Sequence, residues 1–272
     1  AWSGEILACA GQPSFNPNDM TSRTPERIRN RPITDLMEPG SPIKPFTVAT
    51  ALDLGVVEPT TEIDTSPGKL MIQDHVISDL KNYGIISVSE VISKSSNVGT
   101  SKIALMLEPH ILRDRLAILG LGSQTPLGLP GEAEGYLPPA SIFKQMDQAA
   151  LSYGYTLSVT TMQLAQAYSV FANKGYVQPL TILADGMTSA PRKVFKKETI
   201  RQILPILQSV TENGGTAKTA QIPMYHVGGK TGTTMKYSAG SYASQKYVST
   251  FVGLAPISNP RFVMAITIDD PQ

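Results

Sequence analysis

Glu38-Pro-Gly-Ser-Pro-Ile-Lys-Pro-Phe-Thr-Val-Ala-Thr-Ala-Leu-Asp-Leu-Gly55 is a turn that runs directly into a helix and stops at a glycine. Pro42 and Pro45 fall in the first turn, where a missing N–H is tolerated. Ser41 and Lys44 stand three apart, on one face and one turn from each other. A helix N-terminus favours an alkoxide at Ser41. The same field disfavours an ammonium at Lys44, and burial lowers a lysine pKa further, so Lys44 can work as a neutral base. Taken singly, Ser-x-x-Lys is common, and an N-cap serine beside a surface lysine explains it as well.

Two further short motifs follow in order. Ser87-Val-Ser-Glu90 is a capping box that opens a short helix running to about Lys94. Ser95-Ser-Asn97 interrupts the helical pattern, which resumes from Val98 to Leu107. Such a break frees backbone groups and lets side chains face a cleft, although ordinary capping accounts for it too. The chemical reading makes Ser95 a proton relay between Lys44 and a leaving nitrogen, and Asn97 a donor to an amide carbonyl. Lys230-Thr-Gly232-Thr233 lies inside a strand, just after Gly228 and Gly229. Glycine weakens a strand unless something needs close approach of the backbone. Gly232 is therefore expected to let an extended substrate lie along the strand edge. Lys230 with the Thr231 and Thr233 hydroxyls makes a carboxylate-binding patch, and the backbone N–H groups of Ser41 and Thr233 make an oxyanion hole. In order along one chain, the three motifs supply the parts needed to open a carbonyl through a covalent serine ester.

The remaining pattern is mixed. Gly4–Ala10 reads as a strand, with a Pro/Asn/Asp-rich loop from Gln12 to Thr24 behind it. Residues 56–86 are irregular and strand-like. Helices fit Ile111–Leu119, 142–151, 161–174 and 198–212, and 123–140 is a Gly/Pro-rich surface loop. Tyr225–Thr234, Tyr247–Leu254 and Arg261–Asp269 read as strands whose short connections favour antiparallel pairing. The expected fold is mixed α and β: an antiparallel sheet flanked by helices, with an inserted all-helical subdomain. The sheet subdomain takes about 1–40 and 180–272, and the helical subdomain about 41–180. Glu38 is expected to help cap the helix that Ser41 opens.

Other chemistries find little support. Of 272 residues, 23 are Lys or Arg and 22 Asp or Glu, so a net charge of +1 draws the chain to neither nucleic acid nor an anionic membrane. No apolar run reaches the ~18 residues of a membrane span. Cys9, the single cysteine, sits in Ile6-Leu7-Ala8-Cys9-Ala10 and is expected to be a buried structural thiol. A phosphate-binding loop ending at Gly229-Lys230-Thr231 needs glycine at 224, which is Met224. His75, His110 and His226 have no Gly-x-Ser-x-Gly elbow beside them, since Ile43 stands two residues after Ser41. No His or Cys cluster suggests a metal.

Ser-x-x-Lys, Ser-x-Asn and Lys-Thr-Gly are together a signature of penicillin-binding proteins and class A β-lactamases. The chain resembles that superfamily over nearly its whole length. More narrowly, it is similar to the transpeptidase domain of class B, division-type penicillin-binding proteins. That likeness rests on Arg29-Asn-Arg-Pro-Ile-Thr-Asp35, Glu38–Pro45, Lys94-Ser-Ser-Asn-Val-Gly99 and Ser152-Tyr-Gly-Tyr155. It rests also on Gln163-Leu-Ala165, Gly229–Thr233 and the closing Asp269-Asp-Pro-Gln272.

The resemblance implies a serine β-lactamase/transpeptidase-like fold, with Ser41 as acylated nucleophile, Lys44 as its base and Ser95 as relay. Asn97, Lys230, Thr231, Gly232 and Thr233 would bind substrate, and Tyr155 and Tyr247 would line the cleft. It implies no cofactor and no metal. The substrate would be a peptidoglycan stem peptide ending in D-Ala-D-Ala, resolved by an acceptor strand's amine, with β-lactams esterifying Ser41. Division-machinery proteins would be partners, nucleic acid would not, and the setting would be the periplasmic face of a bacterial inner membrane. An anchor, a pedestal domain, a first strand and a C-terminal tail are expected outside this chain. An elongation-type transpeptidase, a D,D-carboxypeptidase, a penicillin-sensing scaffold and a β-lactamase using Glu132 or Glu134 are the competing readings. Thr156 stands where the family commonly has glycine after Tyr-Gly-Tyr.

Overall fold

A computed structural model describes residues 1–184, 190–238 and 241–271, so Gln272 of the closing block lies outside the described residues. Two short turns, α1 (Pro25–Ile28) and α2 (Arg31–Thr34), precede a 3-10 turn at Ser41–Ile43 and helix α3 (Lys44–Asp53). Then come β1 (Glu62–Asp64), β2 (Lys69–Ile72), β3 (His75–Ser78) and β4 (Ile85–Ser87). Helices α4 (Val88–Ser93), α5 (Asn97–Leu105), α6 (Ile111–Ile118), α7 (Gln145–Ser152) and α8 (Thr161–Ala172) follow. The chain continues through β5 (Tyr176–Val177), β6 (Arg192–Lys193) and α9 (Lys197–Ser209). It closes with β7 (Gly228–Ser238), β8 (Ser241–Ala255) and β9 (Phe262–Asp269). The mixed class and the antiparallel pairing match the sequence reading.

Helix α3 is the axis of the core, buried at every position from Lys44 to Asp53. A helix apolar on one stripe only would not fit there, and Phe46, Val48, Ala49, Ala51 and Leu52 wrap it all round. Its polar residues each find a partner, as buried groups must. The Thr47 hydroxyl donates to the Ser152 carbonyl at 2.8 Å, and Thr50 to the Phe46 carbonyl at 2.7 Å. Asp53 accepts from the Lys196 N–H, the Thr199 hydroxyl and the Arg115 guanidinium. Phe46 meets Tyr168 edge-on and stacks on Phe171, each at 5.1 Å between centroids. The capping box at Ser87 and Glu90 forms in both directions, as its spacing requires.

The sheet has the order β7-β8-β9, with β7 on the outside. Gly229 pairs with Gly253 and Gly232 with Thr250, so the Lys-Thr-Gly segment lies mid-strand as expected. Helix α8 packs against β9 and α9 against β7. The turn before α3 rests on β7, and Gly232 is what permits it. A Cβ there would stand 2.5 Å from Pro42 Cδ and 2.9 Å from the Pro39 carbonyl oxygen. The absent side chain of Gly232 thus admits the chain's own Pro39–Pro42 turn, where the sequence suggested a substrate.

Several expectations need correction. Gly4–Ala10 is not a strand: it touches its neighbour through one parallel bridge, Glu5 with Thr181, and the Ile6 N–H to the Thr181 carbonyl. The segment leaves Leu7 69% exposed, and Cys9 is an exposed free thiol instead of a buried one. Glu38 does not cap the Ser41 turn; its carboxylate accepts from the Thr156 N–H at 3.2 Å. Tyr225 belongs to a turn bridged to Ile222, so β7 begins only at Gly228. At its other end β7 runs past Thr234 and pairs back to Ser241, because backbone hydrogen bonds continue across residues too polar to read as strand. Helix α9 ends at Ser209, short of 212, and tight turns follow it.

Thr156 adopts φ +67°, a left-handed conformation that glycine takes freely and a β-branched residue takes at a cost of about 1–2 kcal/mol. Its hydroxyl oxygen is also buried without a hydrogen-bond partner among the described residues. Glycine returns part of the gain through the freer unfolded chain. Thr156→Gly is expected to stabilise the fold by about 1 kcal/mol, a rise in Tm of roughly 2–4 °C by calorimetry. An unchanged or lower Tm would show that packing around the threonine outweighs its strain.

Candidate active site

Ser41, Lys44, Ser95 and Lys230 converge from three separate parts of the chain. The 3-10 turn brings Ser41 to the start of α3, and the Lys44 N–H closes that turn on the Ser41 carbonyl. Gly40 makes the entry possible with φ +62° and ψ −139°. Its N–H donates to the Gly154 carbonyl at 3.0 Å, and a Cβ on Gly154 would overlap the Gly40 carbonyl. Behind the turn, the buried Tyr168 of α8 donates to the Pro42 carbonyl at 2.7 Å.

Ser95 links α4 to α5 in a left-handed conformation, φ +59°. This turns its hydroxyl toward Ser41, and the two oxygens are hydrogen-bonded at 3.0 Å. The same hydroxyl lies 3.2 Å from Lys44 Nζ and 3.0 Å from Lys230 Nζ. Lys44 Nζ also donates to the Ser95 carbonyl at 2.5 Å and to Asn97 Oδ1 at 2.7 Å. A neutral amine has two N–H groups and one lone pair. In that form the Ser95 carbonyl and Asn97 Oδ1 take both N–H groups and the lone pair is left for Ser95 Oγ; in the ammonium form the third N–H donates to Ser95 Oγ. Lys230 Nζ donates additionally to the Thr231 carbonyl at 3.1 Å.

Both lysines are completely buried. Burial, the neighbouring Lys230 ammonium next, holds Lys44 well below the ordinary lysine range, while Asp79 pulls it back upward. Burial alone brings Lys230 down to about 7.

The structure therefore gathers Ser41, Lys44, Ser95, Asn97 and Lys230 around one hydroxyl. The Lys44 amine reaches Ser41 through Ser95, where the helical spacing alone suggested direct contact. Asn97 keeps its amide oriented by donating from Nδ2 to the Ser78 carbonyl at 3.0 Å. Thr231 and Thr233 share the face of β7 opposite Lys230, as the strand's alternation dictates. The Thr231 hydroxyl meets that of Thr216 at 2.9 Å. Tyr247 pairs with Met235 on the ladder, one step beyond Thr233 on that face. Tyr155 is half-buried with its ring 5.4 Å from that of Tyr153, and burial, with Glu38 nearby, raises its phenol pKa. Glu132 is buried and accepts from the Thr125 N–H at 2.7 Å, which ties down its own loop.

The family model for the penicillin binding protein transpeptidase domain matches residues 1–272. The chain belongs to this family. Probable peptidoglycan D,D-transpeptidase PbpC of Pseudomonas aeruginosa is 42% identical over 269 residues, 99% of this chain and 48% of that protein. Peptidoglycan D,D-transpeptidase FtsI of Escherichia coli is 38% identical over 270 residues, 99% of this chain and 46% of that protein. The chain thus spans about half the length of these relatives. Among solved structures, the apo TP domain from Burkholderia pseudomallei penicillin-binding protein 3 superposes with a TM-score of 0.85 at 42% identity. It covers 89% of this chain and 74% of that one.

Sequence reasoning missed Asp79, Tyr168 and Thr216. Of these, Asp79 has the most direct hold on the transpeptidase-family cleft. Its carboxylate accepts from the Ser96 hydroxyl at 2.6 Å, the Asn97 N–H at 2.5 Å and the Val98 N–H at 3.0 Å. It caps α5 from a loop some distance away in sequence, so no local spacing announces it. Charge-assisted bonds of this kind contribute about 1.5–3 kcal/mol. Asp79→Ala is expected to lower Tm by roughly 4–8 °C, measured calorimetrically, and to loosen the Ser95–Asn97 segment. A Tm within a degree of the parent would remove Asp79 from the support of the site.

Proposed function

We propose that this cleft is a serine D,D-transpeptidase site that cross-links peptidoglycan stem peptides, and that it acts in septal wall synthesis at the periplasmic face of the inner membrane. The observation that carries the reading is the Ser95 hydroxyl within hydrogen-bond reach of Ser41, Lys44 and Lys230 together.

The chemistry follows from that arrangement. A stem peptide ending in D-Ala-D-Ala lies along β7, its terminal carboxylate on the Thr231 and Thr233 hydroxyls. Ser41 Oγ bonds to the penultimate carbonyl carbon while its proton passes to Ser95 Oγ and the Ser95 proton passes to neutral Lys44. The oxyanion is held by the Ser41 and Thr233 backbone N–H groups. The peptide C–N bond then breaks, and the proton returns through Ser95 to the leaving D-Ala amine. The amine of an acceptor strand attacks the ester, and Ser41 Oγ leaves and recovers a proton by the same relay. Asn97 Nδ2 has a second N–H for the substrate's amide carbonyl. β-Lactams enter by the first half of this sequence and acylate Ser41. Tyr155 and Tyr247 border the binding groove in this reading, and division proteins are its partners.

A lysine that must be neutral to accept a proton gives acylation a rate that rises with pH through its own titration. The lowered Lys44 pKa places that rise below the ordinary lysine range. Lys230→Met removes the ammonium that helps depress Lys44, so the acidic limb of the acylation profile should move to higher pH. Stopped-flow acylation by a chromogenic β-lactam across pH reads it out; a limb that stays put or moves down contradicts Lys44 as the base.

Asp79 is held by α5 and Glu38 by Thr156, and Glu132 Oε1 accepts from the Thr125 N–H of its own loop, while Glu132 Oε2 is buried without a partner among the described residues. General-base help to water is typically worth about 10²–10⁴-fold. The wild-type chain should form a penicilloyl ester at Ser41 that persists for many minutes, followed by intact-protein mass spectrometry. Ser41→Ala should stay unlabelled while keeping its Tm. Labelling of that variant would displace Ser41 as nucleophile, and sustained hydrolysis of nitrocefin by the wild type would make the protein a β-lactamase.

A further inference from the structure

Thr216 lies 15 residues before Thr231 and outside all three motifs, yet its hydroxyl is 2.9 Å from that of Thr231. Its placement is closely built. After α9 the chain folds back on the helix end: the Gly215 N–H donates to the Glu212 carbonyl, and the Ala217 N–H to the Val210 carbonyl at 2.8 Å. Gly214 supplies a φ of +91°. A Cβ on Gly215 would overlap the Ser209 and Val210 carbonyls, so only glycine lets the chain pass. Ala217 is buried on the far side of Thr216. The Thr211 hydroxyl donates to the Val227 carbonyl at 2.6 Å, which ties this turn to the residue before β7. Loop and strand are thereby held in register, and Thr216 is delivered to Thr231 at the open side of the cleft.

A threonine hydroxyl has one proton and two acceptor lone pairs. Facing an anion, Thr231 must aim its proton at the ligand, since a lone pair there repels. A neighbour that donates to Thr231 occupies one lone pair and leaves the proton for the anion. We infer that Thr216 is a positioning residue of the carboxylate subsite: it donates to Thr231 and so turns the Thr231 proton toward the substrate's terminal carboxylate. This rests on the transpeptidase reading of the cleft and adds to it a residue that the motifs do not contain.

The test compares acylation of wild type, Thr216→Val, Thr216→Ser and Thr231→Val, alone and combined, by benzylpenicillin and by its carboxyl methyl ester. Loss of one neutral hydrogen bond corresponds to a slowing of about three- to tenfold. Thr216→Val should be slowed to that degree with benzylpenicillin and little with the ester, and Thr216→Ser should recover to within about twofold. On a Thr231→Val background, Thr216→Val should add nothing, because the proton it orients is gone. Equal slowing with acid and ester, failure of serine to restore the rate, or additive losses would overturn the inference and leave only a structural loop. An unchanged Thr216→Val rate in a wild-type chain that labels at Ser41 overturns this inference alone. A wild-type chain that benzylpenicillin does not label overturns both it and the transpeptidase reading.

Discussion

The Ser95 hydroxyl, shared by Ser41, Lys44 and Lys230, is the contact on which the rest of the structure depends. Two lysines with no solvent exposure cannot both stay charged beside one hydroxyl without a large cost. The fold meets this by holding the Lys44 pKa well below the ordinary lysine range and placing the Ser95 carbonyl and Asn97 Oδ1 around its Nζ. The Ser95 oxygen can then serve one acceptor and two donors, which matches its one proton and two lone pairs. Every member of the cluster has a hydrogen-bond partner within the fold, and such a buried polar network rigidifies a site.

Holding that cluster takes three segments with no sequence proximity, and backbone contacts do most of it. Gly40, Gly154 and Gly232 each stand where a side chain would collide with another part of the chain: Thr234, the Gly40 carbonyl, and Pro42 respectively. The first two also occupy left-handed φ values. The result is a nucleophile turn clamped between β7 and the end of α7. Ser95 has no such excuse in its side chain, and its φ of +59° is strain of about 1–2 kcal/mol that the Asp79 cap and the α4–α5 packing sustain.

The sequence made legible whatever depends on local spacing. The capping box at Ser87, the proline-tolerant first turn at Ser41, the break at Ser95 and the antiparallel strands all follow from rules that reach about four residues. Contacts between distant segments were not legible. Asp79 acts on residues 17 to 19 positions later, Tyr168 on Pro42 and Thr216 on Thr231, and none carries a pattern of its own. The error at Cys9 has the same origin. Five apolar residues in a row predict burial, but burial needs a neighbour, and the parallel bridge at Glu5 is too short to bring one.

Gly232 shows why the motif and its reason are separable. From sequence, a glycine in a strand signals close approach, and the natural candidate was the substrate. The approach is real, but the approaching group is the chain's own Pro39–Pro42 turn. That assigns the Lys-Thr-Gly strand two jobs on its two faces. Lys230 and Gly232 face inward, where they fix the relay and seat the nucleophile turn, while Thr231 and Thr233 face the groove. Alternation along a single β-strand thereby couples the position of Ser41, the proposed nucleophile, to that of Thr231 and Thr233, the proposed anion site. In the proposed reading, a substrate bound by its carboxylate on one face is presented to a serine held by the other.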